Sequence, residues 1–163
     1  MAKMLVCYYS RTGHTQHMAD AVARGAREVP GVDVTVLDVA HVPVRSLMDY
    51  HAIVIGSPTY YGSMAAEVKK LFDDSVAFHG KLDGKVGGAF ASSANVGGGN
   101  ETTVLDILKA MLIHGMVVQG SPGGDHYGPC AIGDVDKRSG DECAKLGRIC
   151  AELAAKLHDG ARR

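Results

Sequence analysis

The residues best placed to do chemistry form the run Ser10-Arg11-Thr12-Gly13-His14-Thr15. It joins an apolar run, Met4–Tyr9, to a helical pattern that begins at once. The first turn of a helix offers unpaired backbone N–H groups and the positive end of the helix dipole, which together favour an anion. Ser10, Thr12 and Thr15 add hydroxyl donors, and Gly13 lets the backbone curl around a small group. Ser and Thr also cap helices with no ligand at all, so the letters alone do not separate a cradle from a cap. Their place directly after the first strand favours the cradle. No lysine is present, whereas a triphosphate loop needs G-x-x-x-x-G-K-[ST], so a phosphate monoester fits better. Cys7 and Arg11 are too close for a tyrosine-phosphatase loop. Tyr9-Ser10 and Ser57-Pro58 stand where a phosphoacceptor domain needs aspartates.

Two further segments follow strand-like runs. In "SPTYYGSM", Ser57–Met64, Pro58 and Gly62 fix a turn around Thr59, and Tyr60 and Tyr61 project rings able to stack on a flat heterocycle. In "SSANVGGGNE", Ser92–Glu101, three glycines can present bare backbone to the edge of a ring. One phosphate cradle and two ring-binding loops describe a mononucleotide-sized cofactor. The absence of G-x-G-x-x-G argues against a dinucleotide as the primary ligand.

These loops need elements to hold them. Apolar periodicity predicts strands at Met4–Tyr9, Val32–Val39, His51–Ser57, Lys85–Ser92 and Gly115–Gly120. It predicts helices at His14–Glu28, Ser63–Ala77, Glu101–His114 and Asp141–His158. Met18, Val22 and Ala26 mark the inner face of the first helix, and Met64, Val68, Leu71 and Phe72 that of the second. Val104, Leu105, Leu108 and Leu112 mark the third. Cys143, Leu146, Ile149, Cys150, Leu153 and Leu157 mark the fourth. The continuous run "HAIVIGS" reads as a strand buried on both faces. Strands alternating with helices give a parallel α/β sheet covered on both sides, in the order 2-1-3-4-5, as one domain over residues 1–163. In such a sheet a ligand sits outside the carboxyl ends of the strands at the topological switch point, where these three loops gather.

The bulk numbers fit this picture. The chain has 163 residues, enough for one sizeable core, with 46% hydrophobic and 21% charged residues. A net charge of −1 gives no electrostatic case for nucleic acid or an anionic membrane. No run approaches a membrane span, and no secretory leader is evident, so a cytoplasmic protein is expected. Cys7, Cys130, Cys143 and Cys150 contain no C-x-x-C pair and read as reduced thiols. No metal site is expected. The Gly/Pro-rich stretch Pro122–Asp134 reads as a long loop that covers this site or a neighbour's.

Four segments in sequence, "YYSRTGHTQHMADAVARGA", "AIVIGSPTYYGSMAAEVKKLFD", "AFASSANVGGGNETT" and "IHGM", resemble the flavodoxin-like proteins. They most resemble the WrbA-type NAD(P)H:quinone oxidoreductases. The resemblance implies a three-layer flavodoxin-like sandwich that binds FMN. It implies that Ser10, Arg11, Thr12, Gly13, His14 and Thr15 hold the phosphate. Pro58, Thr59, Tyr60, Tyr61 and Gly62 would flank the ring on one side. Ser92, Ser93, Ala94, Asn95, Val96, Gly97 and Gly98 would line the other. His114 falls where the family has a histidine near the flavin, although Gly115 after it also suits a plain helix end. The implied reaction passes electrons from NAD(P)H through FMN to a quinone stacked near Tyr60, Tyr61 and His114. The alternative is a flavodoxin-type carrier that delivers electrons to a partner protein. A homodimer or homotetramer is implied as well. Three departures stand out: Thr12 replaces the family's nicotinamide-stacking tyrosine, no tryptophan is present, with His79 in its region, and the link between strands 2 and 3 is short.

Overall fold

The structure, a computed structural model, describes residues 1–160. In chain order its elements are β1 (Ala2–Tyr8), α1 (His14–Arg27), β2 (Val32–Asp38), β3 (Ala52–Tyr60), β4 (Ser63–Met64) and α2 (Ala66–Asp74). There follow β5 (Val86–Ser93), α3 (Asn100–Ile113), β6 (Val117–Val118), β7 (Cys130–Ile132) and α4 (Lys137–Gly160). Two 3-10 turns, Val39–His41 and Val44–Asp49, link β2 to β3. The sheet runs β2-β1-β3-β5-β6, all parallel, which is the expected order once the strands are renumbered.

Register follows from the apolar runs. Val6 lies between Val36 and Val54, so the sheet's centre presents rows of β-branched side chains. Residues 52–57 and all of β5 are buried, as strands covered on both faces must be. One core lies between the sheet and the α1/α4 layer, around Met4, Val6, Val54 and Phe90. The other lies under α2 and α3, around Leu5, Ile53, Ile55 and Ile107. Met18, Ala19, Val22, Ala23 and Ala26 are all fully buried, as the i, i+4, i+8 pattern requires. α1 and α4 cross in close contact. A Cβ at Gly25 would stand 1.9 Å from the Ala144 carbonyl oxygen, and one at Gly147 1.9 Å from that of Val22. Only glycine lets the two backbones meet at that distance.

Four expectations are corrected. The fifth strand is split. Val117–Val118 pairs with Val86–Gly87 and Cys130–Ile132 with Ala91–Ser93, while the segment between folds outward. Lys145 Nζ donates to the Gly123 carbonyl and Arg138 to Asp125 Oδ1 (2.8 Å), so that segment is tied to the flank of α4. β3 runs on to Tyr60, so the tyrosine segment is a hairpin rather than the start of a helix, and α2 begins only at Ala66. On α3, Val104, Ile107, Leu108 and Met111 face the core. Leu105 and Leu112 stand one position further round, about 100°, and are 41% and 60% exposed. On α4, Ile149 and Leu153 are half-buried and Leu157 is exposed.

Candidate functional site

The carboxyl ends of β1, β3 and β5 open into a cleft of about 600 Å3. Its walls come from all three predicted loops. The first gives Arg11, Thr12, His14 and Thr15, the second Pro58, Thr59 and Tyr60, and the third Ser92, Ser93 and Ala94.

The first loop is shaped by a local turn. The Gly13 N–H donates to Ser10 Oγ (3.1 Å), and Gly13 takes the left-handed region at φ 97°. Gly13 is also the residue that precedes α1, and no side chain caps that helix. The first-turn N–H groups are thus left for an anion. Beneath them Thr15 Oγ1 and Ser92 Oγ lie 2.9 Å apart, and both residues are buried. Only one hydroxyl of such a pair can donate to the other. The second hydroxyl keeps a hydrogen for a ligand, so the floor is built to donate. This donor set, with no carboxylate among the residues lining the cleft, fits a phosphate monoester.

The second loop is a two-residue hairpin turn. Tyr61 (φ 51°) and Gly62 (φ 77°) both take positive φ, as the tight turn between antiparallel β3 and β4 demands. Tyr61 is fully exposed at the tip and Tyr60 is 38% exposed. Ser57 anchors the base: its Oγ accepts from the Ala65 N–H at 2.9 Å and donates to the Pro58 carbonyl. Thr102 Oγ1 donates to the Gly62 carbonyl (2.7 Å), and Thr103 Oγ1 to Thr59 Oγ1 (3.1 Å). The hairpin is therefore fixed to the first turn of α3. Ser57, Thr102 and Thr103 were not identified from sequence, because their roles depend on residues up to 44 positions away.

In the third loop the Gly98 N–H closes a turn on the Asn95 carbonyl (3.1 Å), and Ser93 Oγ donates to the same carbonyl. Asn95, Val96, Gly97 and Gly98 stand exposed at the rim rather than in the wall. A further wall residue is Gly133, whose N–H donates to the Ser93 carbonyl (2.8 Å). The three-residue strand before it, wedged between Pro129 and Gly133, is too short to leave a periodic signal. Asp134, next along, accepts from His17 Nδ1 (2.8 Å), which holds its carboxyl below the usual range.

His114 is not in this cleft. It ends α3, fourteen residues past Asn100 and roughly 20 Å away along the helix axis. It is buried, its Nε2 lies 2.8 Å from Ser75 Oγ, and its ring is 5.9 Å from that of His79. Ser75 Oγ donates to the Phe72 carbonyl, so His114 Nε2 is the donor to Ser75, while Nδ1 is buried with no partner, which disfavours a second proton and keeps the ring neutral. Burial, with His79 adding to it, lowers its pKa. Gly115 at φ 80° donates to Leu112, the plain helix-end arrangement. The cysteines carry no reactive thiolate: burial pushes Cys7, Cys130, Cys143 and Cys150 up to about 12. Among the described residues no three His, Cys, Asp or Glu side chains gather as a metal site would require, and no helix is long and apolar enough to cross a membrane.

Comparison with known proteins agrees with this fold. The family model described as Flavodoxin matches residues 6–91. A protein of Sinorhizobium fredii named NAD(P)H dehydrogenase (quinone) is 38% identical over 200 residues, covering 98% of this chain and 100% of the relative. One of the same name from Chromohalobacter salexigens is 36% identical over 199 residues, covering 96% and 99%. Both alignments are longer than this 163-residue chain, so the relatives include segments with no counterpart here. Among solved structures, a flavodoxin, WrbA-like protein from Agrobacterium tumefaciens superposes with a TM-score of 0.79 at 29% identity, covering 96% of this chain and 99% of its own.

Proposed function

This chain belongs to the flavodoxin family, and from that premise we propose that it is a single-domain FMN enzyme that reduces quinones with NAD(P)H. The observation that bears most weight is the cleft floor. An uncapped helix start, the left-handed Gly13 and a buried hydroxyl pair with a hydrogen to spare together match a phosphate monoester. A cleft of about 600 Å3 has the size of a mononucleotide site.

Ser10, Arg11, Thr12, Gly13, His14 and Thr15 bind the phosphate, with Ser10 setting the loop's turn and the Thr15–Ser92 hydroxyl pair donating its one spare hydrogen from below. Pro58, Thr59, Tyr60, Tyr61 and Gly62 hold one side of the ring. Ser92, Ser93 and Ala94 hold the other, with Gly133 added to that wall, and Asn95, Val96, Gly97 and Gly98 border the ring from the rim. When bound, FMN supplies two-electron transfer, so that NAD(P)H, a proton and a quinone become NAD(P)+ and a hydroquinone. The chain's share of the work is orientation and charge. Tyr60 and Tyr61 offer aromatic faces at the mouth, and N–H and hydroxyl groups stabilise negative charge at the ring's edge. Support for a relay through His114 is lacking within one chain, because it lies at the far end of α3.

The reading is tested by cofactor content. Purified protein should be yellow and release FMN in a one-to-one ratio on denaturation. Colourless protein that cannot be reconstituted with FMN would overturn it.

A further inference from the structure

Beside the cleft lies a second groove of about 380 Å3. Val39, Val42 and Val44 of the β2–β3 link form one wall, and Leu71 of α2 faces them. Tyr9, which directly precedes the phosphate loop, lines the groove, and Arg11, two residues further on, lines the cleft. The two hollows therefore adjoin across the segment Tyr9–Arg11. Polar groups collect at that junction: the Tyr9 hydroxyl and the Glu67 carboxylate of the groove, and Arg11 of the cleft. Away from it the valines and Leu71 present carbon, and the outer lip is the Lys70–Asp74 ion pair (2.7 Å) of α2.

A groove with a polar end at a redox cleft and an apolar run leading away matches a molecule with a polar redox head and a hydrocarbon tail. We propose that this groove holds the hydrocarbon tail of a lipid-soluble quinone whose ring is reduced at the cleft. The proposal rests on the reading of the cleft as a quinone-reducing flavin site, and it extends that reading to the acceptor's class. Water-soluble benzoquinones leave the groove unused. Tailed quinones gain roughly fourfold in affinity for each methylene taken out of water, so three methylenes lodged against the valines give a preference of about 60-fold.

The test uses the FMN-reconstituted full chain and two quinones with one head group, 2,3-dimethoxy-5-methyl-1,4-benzoquinone and its 6-decyl derivative. The decyl compound should show a KM at least 10-fold lower. Val44→Asp should remove that advantage while the KM for the short quinone stays within twofold. Methyl NMR without nicotinamide reads binding apart from turnover. The Val39, Val42 and Val44 methyls should shift with the decyl quinone and stay still with the short one. Equal KM values with unmoved methyls would overturn the proposal, as would Val44→Asp weakening both quinones equally. Methyl shifts specific to the decyl quinone in a protein that turns over neither would uphold the groove and defeat the assigned reaction.

Discussion

At the scale of the residue, the site rests on a few atoms whose hydrogen bonds can be counted. Thr15 Oγ1 and Ser92 Oγ satisfy each other only in part, and the spare hydrogen marks where charge should sit. Thr15→Val removes a donor to a charged group, and titration of apoprotein with FMN should show affinity weakened by about 1.5–3 kcal/mol. Affinity equal to the parent's would mean that the hydroxyl points elsewhere. Tyr61 poses a different question, because a non-glycine residue at φ 51° is strained and this side chain is fully exposed. Tyr61→Gly relieves a strain of about 1–2 kcal/mol, so urea unfolding of the apoprotein should show no loss of stability. FMN affinity should nonetheless fall, because the aromatic face is gone. A variant both more stable and equally able to bind FMN would show that the ring has no part in the site.

At the scale of the element, the four helices and the central strands were legible because each has one dominant period. α1 could be read to the residue: Met18, Val22 and Ala26 repeat every fourth position, and all three are fully buried. α3 was legible as a helix but not in its face, because Leu105 and Leu112 look identical in sequence to Leu108, and only packing separates them. The split fifth strand was hidden, since two and three residues are too few to alternate. The contact between α1 and α4 was also invisible, because a glycine chosen for close approach reads like any other glycine. Gly147→Ala would drive a methyl group into the Val22 carbonyl. It should lower the denaturation midpoint by the equivalent of about 1–3 kcal/mol with the urea m-value unchanged. A midpoint equal to the parent's would contradict the crossing described for these helices.

At the scale of the whole molecule, the three cleft loops occupy one end of the sheet and two neutral histidines the other. His114 is buried against Ser75, and His51 Nδ1 accepts from the Lys3 N–H (2.9 Å) beside the ring of His158. Burial lowers both pKa values, and the neighbours His79 for His114 and His158, Lys85 and Lys3 for His51 add to it. A histidine held neutral in the fold protonates first in the unfolded chain, at about pH 6.5. Stability is therefore unaffected above that value and falls as pH drops below it, levelling only below the lowered folded values. The thermal midpoint should decline between pH 7 and pH 5, and a flat profile over that range would contradict the neutral assignment. The central claim concerns the other end of the sheet, where three loops legible in the sequence meet in one cleft. Its most direct test is steady-state oxidation of NADH and NADPH by the FMN-loaded protein with benzoquinone as acceptor. The account predicts turnover far above that of an equal concentration of free FMN. A rate equal to the free-flavin background with both nicotinamides would contradict it and leave a carrier of electrons to a protein partner in its place.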